Sequence, residues 1–264
     1  MTITLHNWIF SEYPIQRSME VNGRFGPIHI ATLLLCITIA VRIAACRHQT
    51  PQKRDRIISN LAALIVLFEV ARRVINFSRG YDLDLHTVLY MLLPRPWCAI
   101  SCLLTVLAAM FKRRYLYNIA AMSSLLCAIV FFAYPMVGFN HAVYLFEDVY
   151  SITTHALLLI SSLSMMTLGL TDFRYERKGG DSAVREFFIL GLIFAYAFAE
   201  IYLLKIEKDP LYFLPGNDVQ SVFGLSYPLY LIVYGGFLFL YFNAFYLIPA
   251  ILRHRKHPPL PHMA

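Results

Sequence analysis

Apolar residues in this chain come in long runs separated by short charged clusters, and a run of about 20 apolar residues matches a hydrocarbon core of roughly 30 Å. Seven segments reach that length: residues 26–45, 57–78, 85–111, 115–136, 150–171, 187–205 and 226–250. The pattern predicts an all-α polytopic membrane protein, a bundle of about seven transmembrane helices. Its expected organisation is an outer N-terminal segment (1–25), a single seven-helix transmembrane domain (26–252) and a basic cytosolic tail (253–264).

One of these runs carries its own interruption. The third reads His86 through Leu93 and then Pro94-Arg95-Pro96-Trp97-Cys98. Two prolines in three residues cannot continue a regular helix, so helix three is expected to break at Pro94/Pro96 and restart with Pro96 as its first residue. Cys98 then falls in the first turn of the restarted helix, where exposed N–H groups and the positive helix end face it, with Arg95 adjacent.

The linkers sort by charge. Fourteen lysines and arginines lie on one side: Arg47, Lys53, Arg54, Arg56; Lys112, Arg113, Arg114; Arg174, Arg177, Lys178, Arg185; and Arg253, Arg255, Lys256. Five lie on the other, at Arg17, Arg24, Arg79, Lys205 and Lys208. That bias predicts an odd number of spans with the N-terminus outside and the C-terminus in the cytosol. Composition agrees with the bilayer as solvent: 58% of the 264 residues are hydrophobic and 15% charged, against about a quarter charged in soluble domains. The net charge of +7 belongs to the short loop clusters, so it reads as membrane topology and implies no nucleic-acid partner. Residues 1–25 lack the charged start and continuous apolar stretch of a cleavable signal, and five cysteines without a CxxC pair imply no disulfide framework. The expected location is an integral, multi-pass membrane protein, in the plasma membrane if bacterial and an endomembrane if eukaryotic.

Polar residues inside the apolar runs are the candidates for chemistry. Glu69, Arg72 and Arg73 stand at i, i+3 and i+4 near the middle of the second span, on one face, as an internal ion pair or as part of a polar cavity that holds a lipid phosphate or carboxylate. His155 falls about 8 Å below the outer end of a fifth helix that starts near Tyr150, at a depth similar to that of Cys98. A cysteine level with a histidine suits nucleophilic acyl transfer, in which the imidazole takes the thiol proton and a thioester forms. His29 is a third candidate on the same side, and Glu147 and Asp148 stand where they could orient the His155 imidazole. Cys98, Cys102 and His155 have no recognised zinc spacing, and no motif supports haem ligation by His29 and His155. HExxH, GxSxG, P-loop and GxGxxG patterns are absent from the sequence. In the seventh span Tyr227, Tyr230, Tyr234 and Tyr241 form a stripe beside Gly235-Gly236 and Asn243, read as close helix packing or, as the minority reading, as a groove for an acyl chain. The apolar loop Lys208 to Asp218 is expected to fold back over the bundle.

Six pieces in order resemble a known family, the YwaF-like integral membrane proteins and their eukaryotic relative, transmembrane protein 164. They are Phe25-Gly26-Pro27-Ile28-His29; Phe68-Glu69-Val70; Tyr90-Met91-Leu92-Leu93-Pro94 followed by Cys98; Tyr134-Pro135; Phe146-Glu147 with His155; and Phe223-Gly224 with Tyr227 and Tyr230. The relative is an acyltransferase that moves a polyunsaturated acyl chain from a diacyl phospholipid to an ether lysophospholipid through a cysteine and a histidine. The resemblance therefore implies Cys98 as nucleophile, His155 as base, membrane phospholipids as substrates, no cofactor and no need for acyl-CoA. Possible substrate-binding or orienting residues are His29, Glu69, Arg72, Arg73, Arg95, Glu147, Asp148, Tyr227 and Tyr230. In the relative the cysteine follows a proline directly, whereas Trp97 intervenes here, which keeps Cys102 as an alternative nucleophile. A lipid-ester hydrolase using the same pair is the nearby variant. A non-catalytic transporter or binding scaffold with a polar intramembrane cavity is the competing class.

Overall fold

The computed structural model describes residues 9, 25–78, 85–94, 96–133, 139, 144–175, 183–202, 212, 214–217, 220, 221 and 224–256. Among them the regular structure is helical: α1 (Pro27–Ala44, continued by a 3-10 turn, Ala45–His48), α2 (Pro51–Ser78), α3 (Leu85–Leu92), α4 (Trp97–Phe111), α5 (Arg114–Ala133), α6 (Phe146–Thr167), α7 (Val184–Tyr202) and α8 (Tyr227–Lys256). Four stretches are long and apolar enough to cross a membrane: Pro27–His48, Arg114–Ala133, Phe146–Thr167 and Tyr227–Leu252. α4 is apolar but shorter, and α2 and α7 carry more charge than such a stretch admits. The helices fall into two compact units, residues 1–171 and 172–264.

In the first unit α5 is the interior helix. Its small residues, Ala120, Ala121, Ser123, Ser124 and Ala128, are fully buried, because only short side chains let neighbouring backbones approach from several sides. Hydroxyls join α4 to α5: Ser101 meets Ser123 at 2.6 Å, Thr105 meets Ser124 at 3.1 Å, and Ser101 lies 3.3 Å from the Cys127 sulfur. Ser162 of α6 donates to the Ala121 carbonyl at 2.8 Å. Interhelical bonds of this kind contribute about 0.6 kcal/mol each in a bilayer, so the ladder fixes register more than it adds stability. The outer surfaces of α1 and α2 are apolar, with Leu34, Leu35, Val41, Leu67, Val70 and Val74 exposed, as expected where lipid is the solvent.

Three contacts gather the basic end of this unit. Arg54 donates to the Leu168 carbonyl at 2.7 Å, Tyr117 to Asp55 at 3.3 Å, and Lys112 pairs with Asp55 at 3.8 Å. Gly169 (φ 71°) ends α6 in a left-handed turn with Leu170 N–H bonded to the Met165 carbonyl at 3.0 Å, which presents Leu168 to Arg54. The second apolar run, 57–78, is the later part of a longer helix. α2 begins at Pro51, whose missing N–H suits a first turn, and the loop charges Lys53 to Arg56 lie on the helix.

In the second unit Phe173, Tyr175 and Phe187 pack on the buried Tyr246, and Phe245 packs on Phe173. The described part of the loop before α8 is tied by its own side chains. Asn217 donates to the carbonyls of Tyr212 and Leu214 at 3.0 and 2.6 Å, and Tyr230 of α8 donates to Tyr212 at 2.6 Å. Close packing at Gly235-Gly236 is not observed: a Cβ on either would meet open space. α8 also runs on past the expected end at 250, through Pro249 to Lys256.

Candidate functional site

The third span is interrupted as its prolines dictate, with α3 ending at Leu92 and α4 starting at Trp97. Pro96 is the N-cap, extended at φ −70° and ψ 153°, one position earlier than a first helical residue, and its carbonyl receives the N–H groups of Ala99 and Ile100 at 2.8 and 3.1 Å. Pro96 has no side chain able to cap the helix, so the Cys98 amide stands at an open helix end. Arg95, expected beside the thiol, lies outside the described residues.

Cys98 interacts electrostatically with Glu69 and Arg72 of α2, Tyr150 of α6, Cys102 of its own helix and Cys127 of α5. The Glu69 carboxylate gathers α2 and α6: it accepts from Arg73, from Arg72 at 3.3 Å and from the Tyr150 hydroxyl. Arg73 also donates to the Glu69 carbonyl at 3.1 Å and to the Leu92 carbonyl at 3.3 Å, the last carbonyl of α3. Arg72 lies over the Tyr150 ring, 5.3 Å from its centroid. Tyr150 was read from sequence only as the place where the fifth helix begins.

α6 starts at Phe146 rather than near Tyr150, which puts His155 about 14 Å along the helix instead of 8 Å. The reason is the cap: the Asp148 carboxylate accepts the Leu145 N–H at 3.1 Å, so the acidic residues form the first turn. Asp148 is spent on this cap and Glu147 is exposed, while the imidazole is oriented by its own helix, Nδ1 to the Ser151 carbonyl at 2.8 Å. A carbonyl only accepts, so Nδ1 carries the proton and Nε2 is the basic nitrogen. The ring stacks on Phe131, centroids 3.9 Å apart and planes within 6°. Phe131 stands one turn along α5 from Cys127, on the same face. The Cys98 and His155 side chains are not hydrogen-bonded to each other.

His29 enters the same aromatic cluster. It is 2% exposed and packs against Phe25, Phe132 and Phe139 with centroids 5.3, 5.8 and 4.7 Å away; among the described residues the nearest polar group to its ring is the Phe132 backbone, and neither nitrogen makes a hydrogen bond of good geometry. Phe131 in turn meets Phe132 and Phe139, so the two histidines share one wall of rings. Cys102 is buried one turn deeper than Cys98, among the hydroxyl ladder. Tyr227 and Tyr230 belong to the second unit, where Tyr230 is buried, holds the Tyr212 carbonyl and stacks on Tyr234.

Residues 24–246 match the TMEM164 family, a span that includes every helix of both units up to the middle of α8. The chain belongs to the TMEM164 family. No curated protein and no solved structure matches it. The TMEM164 match takes in all the candidate residues, from His29 to Tyr230, and together with four membrane-length apolar helices it makes the chain a membrane protein.

Proposed function

We propose that this TMEM164-family chain is an integral membrane lipid acyltransferase that moves a fatty acyl chain between phospholipids through a Cys98 thioester, with His155 as base. The observation that carries the reading is a thiol and an imidazole brought to the same helix: Cys98 at the uncapped start of α4 interacts electrostatically with Cys127 of α5, and His155 stacks on Phe131, one turn along α5 from Cys127, with no partner for Nε2 among the described residues. The family supports a membrane protein; acyl transfer between phospholipids is what the resemblance to transmembrane protein 164 implies, and these side chains are the ones that would carry it. We also read the seven apolar segments as spans, with the N-terminus outside and the C-terminus in the cytosol, from the fourteen-to-five charge split.

In the first half-reaction the Cys98 thiol gives its proton to His155 Nε2 as sulfur attacks the ester carbonyl, the C–O bond breaks, and the imidazolium protonates the departing lysolipid oxygen. The Cys98 amide N–H at the uncapped end of α4 donates to the oxyanion. In the second, the hydroxyl of an acceptor lysolipid gives its proton to the same nitrogen and attacks the thioester; the C–S bond breaks and sulfur takes the proton back. The kinetics are ping-pong and acyl-CoA is not needed. The test is intact-protein mass after incubation with phospholipid. An acyl adduct on the wild type that Cys98→Ala lacks and Cys102→Ala retains supports the reading, and full acyl exchange by a folded Cys98→Ala protein overturns it.

A further inference from the structure

The charged cluster on α2 does not balance. Glu69 is the sole carboxylate that either Arg72 or Arg73 pairs with among the described residues, which leaves one cationic charge in excess in a span flanked by exposed apolar residues. The two arginines are not equivalent. Arg73 is consumed by the protein, bonded to the Glu69 carboxylate, the Glu69 carbonyl and the Leu92 carbonyl. Among the described residues Arg72 makes one bond, Nη2 to Glu69 at 3.3 Å, while Nε is buried without a partner and Nη1 has none. Its guanidinium is held by the Tyr150 ring and by that single acceptor, and its side chain is 23% exposed.

A guanidinium so placed is a preformed anion site, since unsolvated charge in a bilayer is costly until an opposite charge arrives. The anion has to be present in the resting complex. An ester carbonyl is neutral before attack and cannot supply it, whereas a lipid phosphate carries permanent charge and matches the guanidinium fork. Arg72 is also within electrostatic range of Cys98, and in a phospholipid only the short glycerol bridge separates phosphate from ester. We infer that Arg72 is the phosphate anchor of the site, holding the headgroup phosphate of a phospholipid so that its ester lies at Cys98, and that it makes the protein select phospholipids over neutral glycerolipids. This deepens the acyltransferase reading and rests on it for the position of the ester.

The experiment separates binding from turnover. A dialkyl phosphatidylcholine has the phosphate but no ester, and a dialkylglycerol has neither. In detergent micelles, the dialkyl phosphatidylcholine should raise the unfolding temperature of the wild type and of Cys98→Ala, and dialkylglycerol should not. Arg72→Gln should weaken the apparent affinity at least tenfold, and Arg72→Lys, which keeps charge and lacks the fork, by less, so that a variant that fails to fold does not end the test. In acyl exchange, Arg72→Gln should raise KM for phosphatidylcholine at least tenfold, a larger loss than it causes on diacylglycerol. Unchanged phosphatidylcholine binding in both Arg72 variants, equal loss on both donors, or equal stabilisation by inorganic phosphate alone overturns the anchor. Arg72-dependent binding without acyl exchange by the wild type instead overturns the acyltransferase reading and leaves the anchor standing.

Discussion

Replacing Glu69 by Gln keeps the shape of the side chain and removes the charge on which α2 and α6 converge. Three donors meet that carboxylate, from Arg72, Arg73 and Tyr150. Breaking a buried ion pair by removing one partner costs about 3–5 kcal/mol, because the other charge stays behind. The arginines are not fully enclosed, at 23% and 21% exposed, so solvent and headgroups recover part of that and the expected loss is about 2–4 kcal/mol. Tyr150→Phe deletes one hydrogen bond to a charged acceptor and should cost less, about 1–2 kcal/mol. Glu69→Gln combined with Arg73→Gln should cost less than the sum, with a coupling of about 1–3 kcal/mol. Reversible unfolding of these variants and of Arg73→Gln in mixed micelles, followed by helical circular dichroism, gives all three values, and amide exchange should rise in α2 and α6 before it rises in α5. If Glu69→Gln and Tyr150→Phe each fall within about 0.5 kcal/mol of wild type, the carboxylate does not hold the two helices together and the pairing argument fails.

Three further outcomes are expected. Cys98→Ala, His155→Ala and the double variant should lose acyl exchange to nearly the same extent, because nucleophile and base act as a unit; losses that multiply would separate them. Gly169→Ala should destabilise by about 1 kcal/mol, measured by thermal unfolding, since a Cβ strains the left-handed turn that presents Leu168 to Arg54; a neutral change would remove that account. Cysteines introduced at Gly179 and Asn217 should react with an impermeant reagent from opposite faces of the membrane, and labelling from the same face would refute the orientation.

Much of the helical order was readable from apolar runs, and the break at Pro94 and Pro96 followed from backbone chemistry alone. Helix starts were harder. At Pro51 and Phe146 the first turns are charged, and hydropathy assigns charge to loops even where Asp148 caps a helix or Asp55 takes a tyrosine from another one. The same limit hid Tyr150, whose role depends on a carboxylate 81 residues away. Ser101, Thr105, Ser123 and Ser124 did carry a signal, since small hydroxyl residues one turn apart in apolar helices mark interfaces in membranes. The wall of rings around His29 and His155 left no local trace, because Phe139 lies outside any helix and reaches both histidines' neighbours only in the fold.

The broken span explains why the charges are where they are. Interrupting a helix in a bilayer leaves backbone groups without partners, each costing several kcal/mol in a medium that offers no hydrogen bonds. Proline limits that cost at the source: Pro94 and Pro96 have no N–H to leave unpaired, so the interruption exposes mainly carbonyls. One of these, Leu92, receives Arg73, and Glu69 holds Arg73 in place. An arginine in a span is costly alone and an open carbonyl is costly alone; together each offsets the other. The same carboxylate takes Tyr150 from α6, the helix that carries His155, so the repair of the break and the placement of the imidazole depend on one side chain. Loss of Glu69 should therefore reach activity through geometry as well as stability: in Glu69→Gln protein that remains folded, kcat should fall while the acyl adduct on Cys98 still forms, more slowly. An unchanged rate of adduct formation would mean that the break and the imidazole are positioned independently.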